Sequence, residues 1–187
     1  FNLDPALVTV FVFCYPGAPL AEFYKALRQR GKEINLLLPK GAATDILSKL
    51  YEEHPSRNIQ FGVSKMVPQS EFDKFLWASD SLIIRGEDSF VRAQLSGKPF
   101  IWNIYPQTEE THIKKLEAFG ERIRPYYGES YQTWIDMNLS LNKSSRDLTC
   151  CWERWCHELP LMKEAAQHWR DHLVSLGSLA DNLLSFV

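Results

Sequence analysis

Four side chains able to do chemistry crowd into five positions of this chain, Arg85-Gly86-Glu87-Asp88-Ser89. An apolar run, Ser81 to Ile84, leads into them, and the helical spacing Phe90 to Leu95 follows. A Gly-Lys-Pro stop then opens a second apolar run, Phe100 to Ile104. This layout places the polar group at the carboxyl end of a strand and the amino end of a helix. Open α/β sheets bind phosphorylated ligands there, because free N–H groups and the helix dipole favour an anion. Arg85 adds a forked, charged donor, and Ser89 adds a hydroxyl. Two carboxylates beside a phosphate need a reason. Asp88 is expected to be the N-cap of its own helix. Glu87 is left to hold Arg85 or to bond a sugar hydroxyl. The same residues also fit a capped helix with a surface ion pair, so spacing leaves both readings open.

Three further groups sit at strand exits. Phe13 and Tyr15 leave the first apolar run, where an aromatic ring can stack on a base or sugar. Tyr105 and Gln107 close the last strand and can bond phosphate or ribose, although Tyr-Pro-Gln also suits a plain turn. Met66-Val67-Pro68-Gln69 lies between a strand and a helix, where Gln69 and its backbone neighbours can meet a pyrimidine edge.

The elements that position these residues alternate. Strands are expected at 6–14, 33–38, 59–63, 81–84 and 100–104. Helices are expected at 20–30, 44–53, 71–78 and 90–95. Strand–helix alternation implies right-handed crossovers and a mostly parallel, Rossmann-like sheet flanked by helices, with the first strand central. From Glu109 on, the spacing is helical: 109–119, 131–141, and a long amphipathic tail at 161–187 carrying Leu161, Ala165, Trp169, His172, Leu176, Leu179 and Leu183 on one face. We therefore expect one domain at 1–160 and an appended helix at 161–187. No GxGxxG or Walker sequence follows the first strand, which disfavours dinucleotide oxidoreductases and P-loop enzymes.

Composition excludes other classes. The chain has 187 residues, 45% of them hydrophobic, and a formal charge of −2, so broad attraction to nucleic acid or to an acidic membrane is not expected. No apolar run reaches the ~20 residues that cross a bilayer. The opening Phe1-Asn2-Leu3-Asp4-Pro5 lacks the basic start of a secretory signal and an initiator Met, as a trimmed chain would. Cys14, Cys150, Cys151 and Cys156 lack paired metal-ligand spacing, so reduced packing cysteines and a cytoplasmic home are expected. His168 and His172 share a helix face without a metal motif, and the six Trp are expected in the core.

The stretch from Phe72-Asp73-Lys74-Phe75-Leu76-Trp77 through Arg85-Gly86-Glu87-Asp88-Ser89-Phe90-Val91-Arg92-Ala93-Gln94 to Lys98-Pro99-Phe100-Ile101-Trp102-Asn103-Ile104-Tyr105-Pro106-Gln107 resembles the bacterial protein-arginine rhamnosyltransferase family EarP. The resemblance spans nearly the whole chain, as that family's carboxyl-terminal half. It implies the GT-B architecture, two Rossmann-like domains across a cleft, with the donor dTDP-β-L-rhamnose held in this half and translation elongation factor P as the protein acceptor. It implies that Phe13 and Tyr15 lie along the donor, and that Gln69 with the backbone at Met66 and Val67 meets thymine. It implies further that Arg85, Asp88, Ser89 and Tyr105 hold the diphosphate and its surroundings, with Gln107 nearby. Glu87 is the implied critical carboxylate. No metal or other cofactor is implied. The acceptor-activating base is an aspartate of the family's amino-terminal domain, so this chain alone is expected to show little transfer. A GT-B sugar-nucleotide epimerase and a non-catalytic α/β binding domain are the competing readings.

Overall fold

β-branched and aromatic residues dominate the run Val8–Val12, and in the computed structural model it forms β1, the middle strand of a five-stranded sheet. The structure describes residues 3–29, 32–65, 67–143 and 147–184. β2 (Ile34–Pro39) and β3 (Ile59–Ser64) lie to one side of β1, and β4 (Ser81–Arg85) and β5 (Phe100–Asn103) to the other. All pairings are parallel, in the order β3-β2-β1-β4-β5. The helices α1 (Leu20–Gln29), α2 (Ala42–Glu53), α3 (Gln69–Trp77) and α4 (Glu87–Ser96) are the crossovers. The chain winds outward from β1 in one direction and from β4 in the other. The crevice at their carboxyl ends is thus the topological switch point, where loops diverge and leave room for a ligand.

The expected elements are present with shifted bounds. The first strand is shorter than 6–14, though its ladder continues one residue further, Phe13 N–H donating to Ile83 O at 2.7 Å. Ile46 is exposed rather than inward, leaving Leu47 to anchor α2. The helix expected at 109–119 is α5 (Thr111–Tyr127), preceded by a 3-10 turn at Thr108–Glu110. The helix expected at 131–141 is α6 (Tyr131–Asn142).

The largest departure is at the carboxyl end. The helix expected to begin at Leu161 begins instead at Leu148, and one helix, α7 (Leu148–Ser175), includes Pro160 in its interior. The expected domain boundary at 160/161 falls inside that helix. Before and after Pro160, α7 packs on the same body. Trp152 meets Phe23 edge-on at 5.2 Å, Trp155 Nε1 donates to Ser81 Oγ, and Trp169 Nε1 donates to Gln94 Oε1. Asp147 caps α7 by accepting from the N–H groups of Thr149 and Cys150. Gly177, at φ +73°, ends the continuous helix, and a short α8 (Leu179–Leu184) follows. Leu161, Leu176, Leu179 and Leu183 are exposed, so the single apolar face expected for 161–187 is buried only at Ala165 and Trp169. Five of the six Trp are buried, and Trp77 is exposed.

β5 is an edge strand, and α6 satisfies its open side with side chains instead of a sixth strand. Asn138 Oδ1 accepts from Trp102 N–H, and Asn142 Oδ1 accepts from Ile104 N–H, both at 2.8 Å. Asn142 Nδ2 donates to Trp102 O, and Trp134 Nε1 donates to Phe100 O. Trp134, Asn138 and Asn142 are four residues apart, so one helix face meets the strand at three points. An unpaired edge would otherwise cost buried hydrogen bonds and invite strand addition.

Candidate functional site

At the carboxyl end of β4 the chain must turn sharply into α4. Gly86 makes that turn at φ 72°, ψ 179°, a backbone region essentially reserved for glycine. It is also the N-cap of α4, and no side chain caps the helix. The sequence-based role of Asp88 as N-cap is therefore corrected. Glu87 and Asp88 are the first and second helical residues, where carboxylates complement the helix dipole. Trp102 Nε1 donates to Gly86 O at 3.1 Å and its ring stacks on Phe90 at 3.8 Å, so β5 holds the turn from beneath.

Arg85 is partly buried, and its Cζ lies 4.6 Å from the centroid of the Phe13 ring and 4.9 Å from that of Tyr15. Cation–π contact with both rings sets its direction. Among the described residues it has no carboxylate partner, so Glu87, exposed beside it, does not hold it. Tyr15 is tied down by its N–H donating to Asn103 Oδ1 at 2.8 Å, and its ring meets Tyr105 edge-on at 5.5 Å. Phe13 continues into a cluster with Phe72 at 5.7 Å. The fold thus joins Phe13, Tyr15, Arg85 and Tyr105 in one chain of contacts. Ser89, the third residue of α4, is nearly buried, with 9% of its surface exposed.

A second group forms on the other side. Gln69, the first residue of α3, donates through Nε2 to Asp88 Oδ2 at 2.8 Å. Arg92 Nε donates to the same oxygen at 2.8 Å, and Arg92 Nη1 reaches both oxygens of Asp73 at 3.0 Å. The Arg92 hydrogen bond, aided by that from Gln69, holds the Asp88 carboxyl below the usual carboxylate range. An ionised carboxylate only accepts, so Asp88 orders the turn and cannot itself bond a phosphate oxygen.

Gln107 is not drawn into either group through its side chain. It is exposed, and its backbone N–H donates to Nδ1 of the buried His112. Met66 lies outside the described residues; Val67 stands two residues before α3.

Sequence reasoning missed a cavity of about 220 Å³ between the exits of β1 and β2. Phe13, Cys14, Lys40, Gly41, Thr44 and Arg85 line it. The run Pro39-Lys40-Gly41, an apolar strand ending in a cation and a glycine before a helix, is the signal that marked it. Cys14 is a buried thiol here, pushed up to about 12 by burial, with Arg85 opposing the shift. At pH 8 it is expected to stay protonated and inert. Ellman titration of the native protein checks this: Cys14→Ser should leave the fast-reacting thiol count unchanged, whereas loss of the exposed Cys150 should lower it.

The parallel sheet, its switch point and an uncapped helix start beside an arginine with no carboxylate partner among the described residues define a Rossmann-like ligand-binding domain, the kind that GT-B glycosyltransferases carry. The family described as elongation factor P (EF-P) rhamnosyltransferase EarP matches residues 2–187, and the chain belongs to it. Its relatives include the protein-arginine rhamnosyltransferases of Shewanella oneidensis and Pseudomonas aeruginosa. The first is 34% identical, over 90% of this chain and 46% of the relative. The second is 32% identical, over 95% of this chain and 49% of the relative. The chain spans about half the length of the curated relatives it matches. A solved structure described as the structural basis for EarP-mediated arginine glycosylation of translation elongation factor EF-P superposes with a TM-score of 0.81. It is 28% identical and covers 99% of this chain and 61% of that one.

Proposed function

We propose that this chain is the donor-holding part of an inverting protein-arginine rhamnosyltransferase that takes dTDP-β-L-rhamnose and modifies an arginine of elongation factor P in the cytoplasm. The observation that carries the reading is Arg85. Its guanidinium has no carboxylate partner among the described residues, is aimed by two aromatic rings, and stands at the uncapped start of α4 in the sheet's switch point. Family membership and relatives named as protein-arginine rhamnosyltransferases support the choice of sugar and acceptor.

In this reading Arg85, the first N–H groups of α4 and the Ser89 hydroxyl meet the diphosphate. They stabilise it as the anomeric C–O bond breaks, with no metal required of the mechanism. Phe13, Tyr15 and Tyr105 wall the sugar and phosphates, and Gln69 meets the base. Glu87, exposed at the first position of α4, faces the donor's sugar side and is the carboxylate on which transfer depends. Attack by the acceptor arginine from the opposite face inverts β to α. A guanidinium titrates above about 12, so it needs a carboxylate to orient it and take its proton. We place that base in the part of the relatives' length that these residues do not match, so the chain alone binds donor without turnover.

Among the described residues no helix is long and apolar enough to cross a membrane. Calorimetry tests the proposal directly. dTDP-β-L-rhamnose and dTDP are expected to bind, UDP more weakly, and Asp88→Ala should weaken both dTDP ligands. Equal affinity for UDP would refute recognition of the thymine methyl or the deoxyribose, and equal affinity for dCDP would refute base reading at Gln69. Full rhamnosylation of elongation factor P by this chain alone, seen by intact mass, would refute the division of labour.

A further inference from the structure

We infer that Arg92, acting through Asp88, fixes which end of the Gln69 side-chain amide faces the ligand, and so makes the site select a pyrimidine that carries an N3–H. The inference rests on the donor-site reading above and adds a positioning residue to it.

A glutamine amide has a donor end and an acceptor end of nearly equal shape, and rotating it by half a turn exchanges them. A free Gln69 would meet a donor or an acceptor on a base with little preference. Here the rotation is blocked. Asp88 is ionised and can only accept, so the amide must turn its Nε2 toward it, as the 2.8 Å contact shows. Oε1 is then the end left over, and Gln69 is exposed at the start of α3. An outward acceptor suits the N3–H of thymine or uracil. Cytosine offers an acceptor at that position, and two acceptors facing one another repel.

Asp88 cannot keep this orientation alone. Its side chain is 64% exposed and sits on α4, whereas Gln69 is on α3. Arg92 supplies the tie. Its Nε holds the same Asp88 oxygen that Gln69 uses, and its Nη1 bridges back to Asp73 on α3 at 3.0 Å. The Arg92 side chain is less exposed, at 27%, and its fork engages both helices at once. Without it, the Gln69 bond itself is the one contact among the described residues that holds the Asp88 carboxylate toward α3. The carboxylate is then free to turn to water, and the amide is free to flip. Arg92 is distinct from the phosphate-facing cation, since it is paired with Asp73 and Asp88, whereas Arg85 has no carboxylate partner among the described residues.

The test uses dTDP, dCDP and inorganic pyrophosphate, titrated by calorimetry into the chain and its Arg92→Ala and Arg92→Lys variants, with circular dichroism confirming the fold. Unsubstituted protein should prefer dTDP over dCDP. Arg92→Ala should narrow that preference by roughly 3- to 10-fold, the worth of one hydrogen bond, while leaving pyrophosphate affinity unchanged. Arg92→Lys, which keeps the charge but cannot fork, should fall between. A preference unchanged in Arg92→Ala, or a parallel fall for all three ligands, overturns the inference. If the unsubstituted protein binds pyrophosphate but neither nucleotide, or binds none of the three, the donor-site reading itself fails, and the inference with it.

Discussion

Replacing Arg85 with alanine should lower the affinity for dTDP by about 10- to 100-fold, the range for one charge-assisted hydrogen bond to an anion. The fold should be almost untouched. Arg85 makes no ion pair with a described residue, so its removal leaves no buried carboxylate stranded. What is lost is stacking on Phe13 and Tyr15, whose ring centroids lie 4.6 and 4.9 Å from the guanidinium carbon. Such contacts are worth about 0.5–1 kcal/mol at exposed sites and more where desolvated. Arg85→Lys separates charge from shape. Lysine restores a cation at the start of α4 but neither the planar fork nor the same stacking, so partial recovery is expected. Calorimetry with dTDP, beside urea unfolding of each variant, reads both quantities. Unaltered dTDP affinity in Arg85→Ala would remove the observation on which the proposed function stands.

The second large effect is on stability. Asn138→Ala should destabilise the protein by about 2–4 kcal/mol, combining a stranded buried N–H with a small cavity. Asn138 is fully buried, and its Oδ1 is the partner of Trp102 N–H on the outer edge of β5. Deleting the amide leaves that buried donor without its partner. Asn138→Leu should fare no better, because it fills the space yet still cannot accept. For a chain of this size the midpoint should fall by roughly 2–4 °C for each kcal/mol, which a thermal scan followed by circular dichroism resolves. The damage should reach the site, since β5 carries Trp102, which holds Gly86 O, and Asn103, which holds the Tyr15 N–H. A thermal midpoint within 1–2 °C of the unsubstituted protein, a shift of under about 1 kcal/mol, would show that the asparagine ladder is dispensable.

Much of the architecture was legible because its signals are local. Apolar runs of strand length alternating with helical spacing imply a parallel sheet with right-handed crossovers, and in doubly wound sheets the first strand is commonly central, as it is here. Where local signals misled, a tertiary contact had overruled them. The last helix is expected to start at Leu161, but Trp152 and Trp155 before that point and Met162 and Trp169 after it pack on a single body, and α7 runs through all four. The outer side of β5 shows the same limit. Nothing in Asn138 or Asn142 alone announces that an amide four residues from another will stand in for a strand.

Arg85 to Ser89 follow the same division. Their types and order were enough to mark a strand-to-helix turn with a cation and free N–H groups, and Gly86 was in place to make it. Their roles depended on neighbours distant in sequence. Asp88 looked like a cap because short acidic residues at helix starts usually are caps. It is instead the meeting point of Gln69 and Arg92, 19 residues and one helical turn away. Glu87 was left to hold Arg85 or to bond a sugar hydroxyl, and two rings from the β1 exit took the first of those places. Spacing along a chain determines which backbone groups are free and which faces are apolar, since both are fixed within a few residues. Which donor meets which acceptor is decided only when the crossovers bring β1, α3, β4 and β5 to one edge of the sheet, and at that edge the site is assembled.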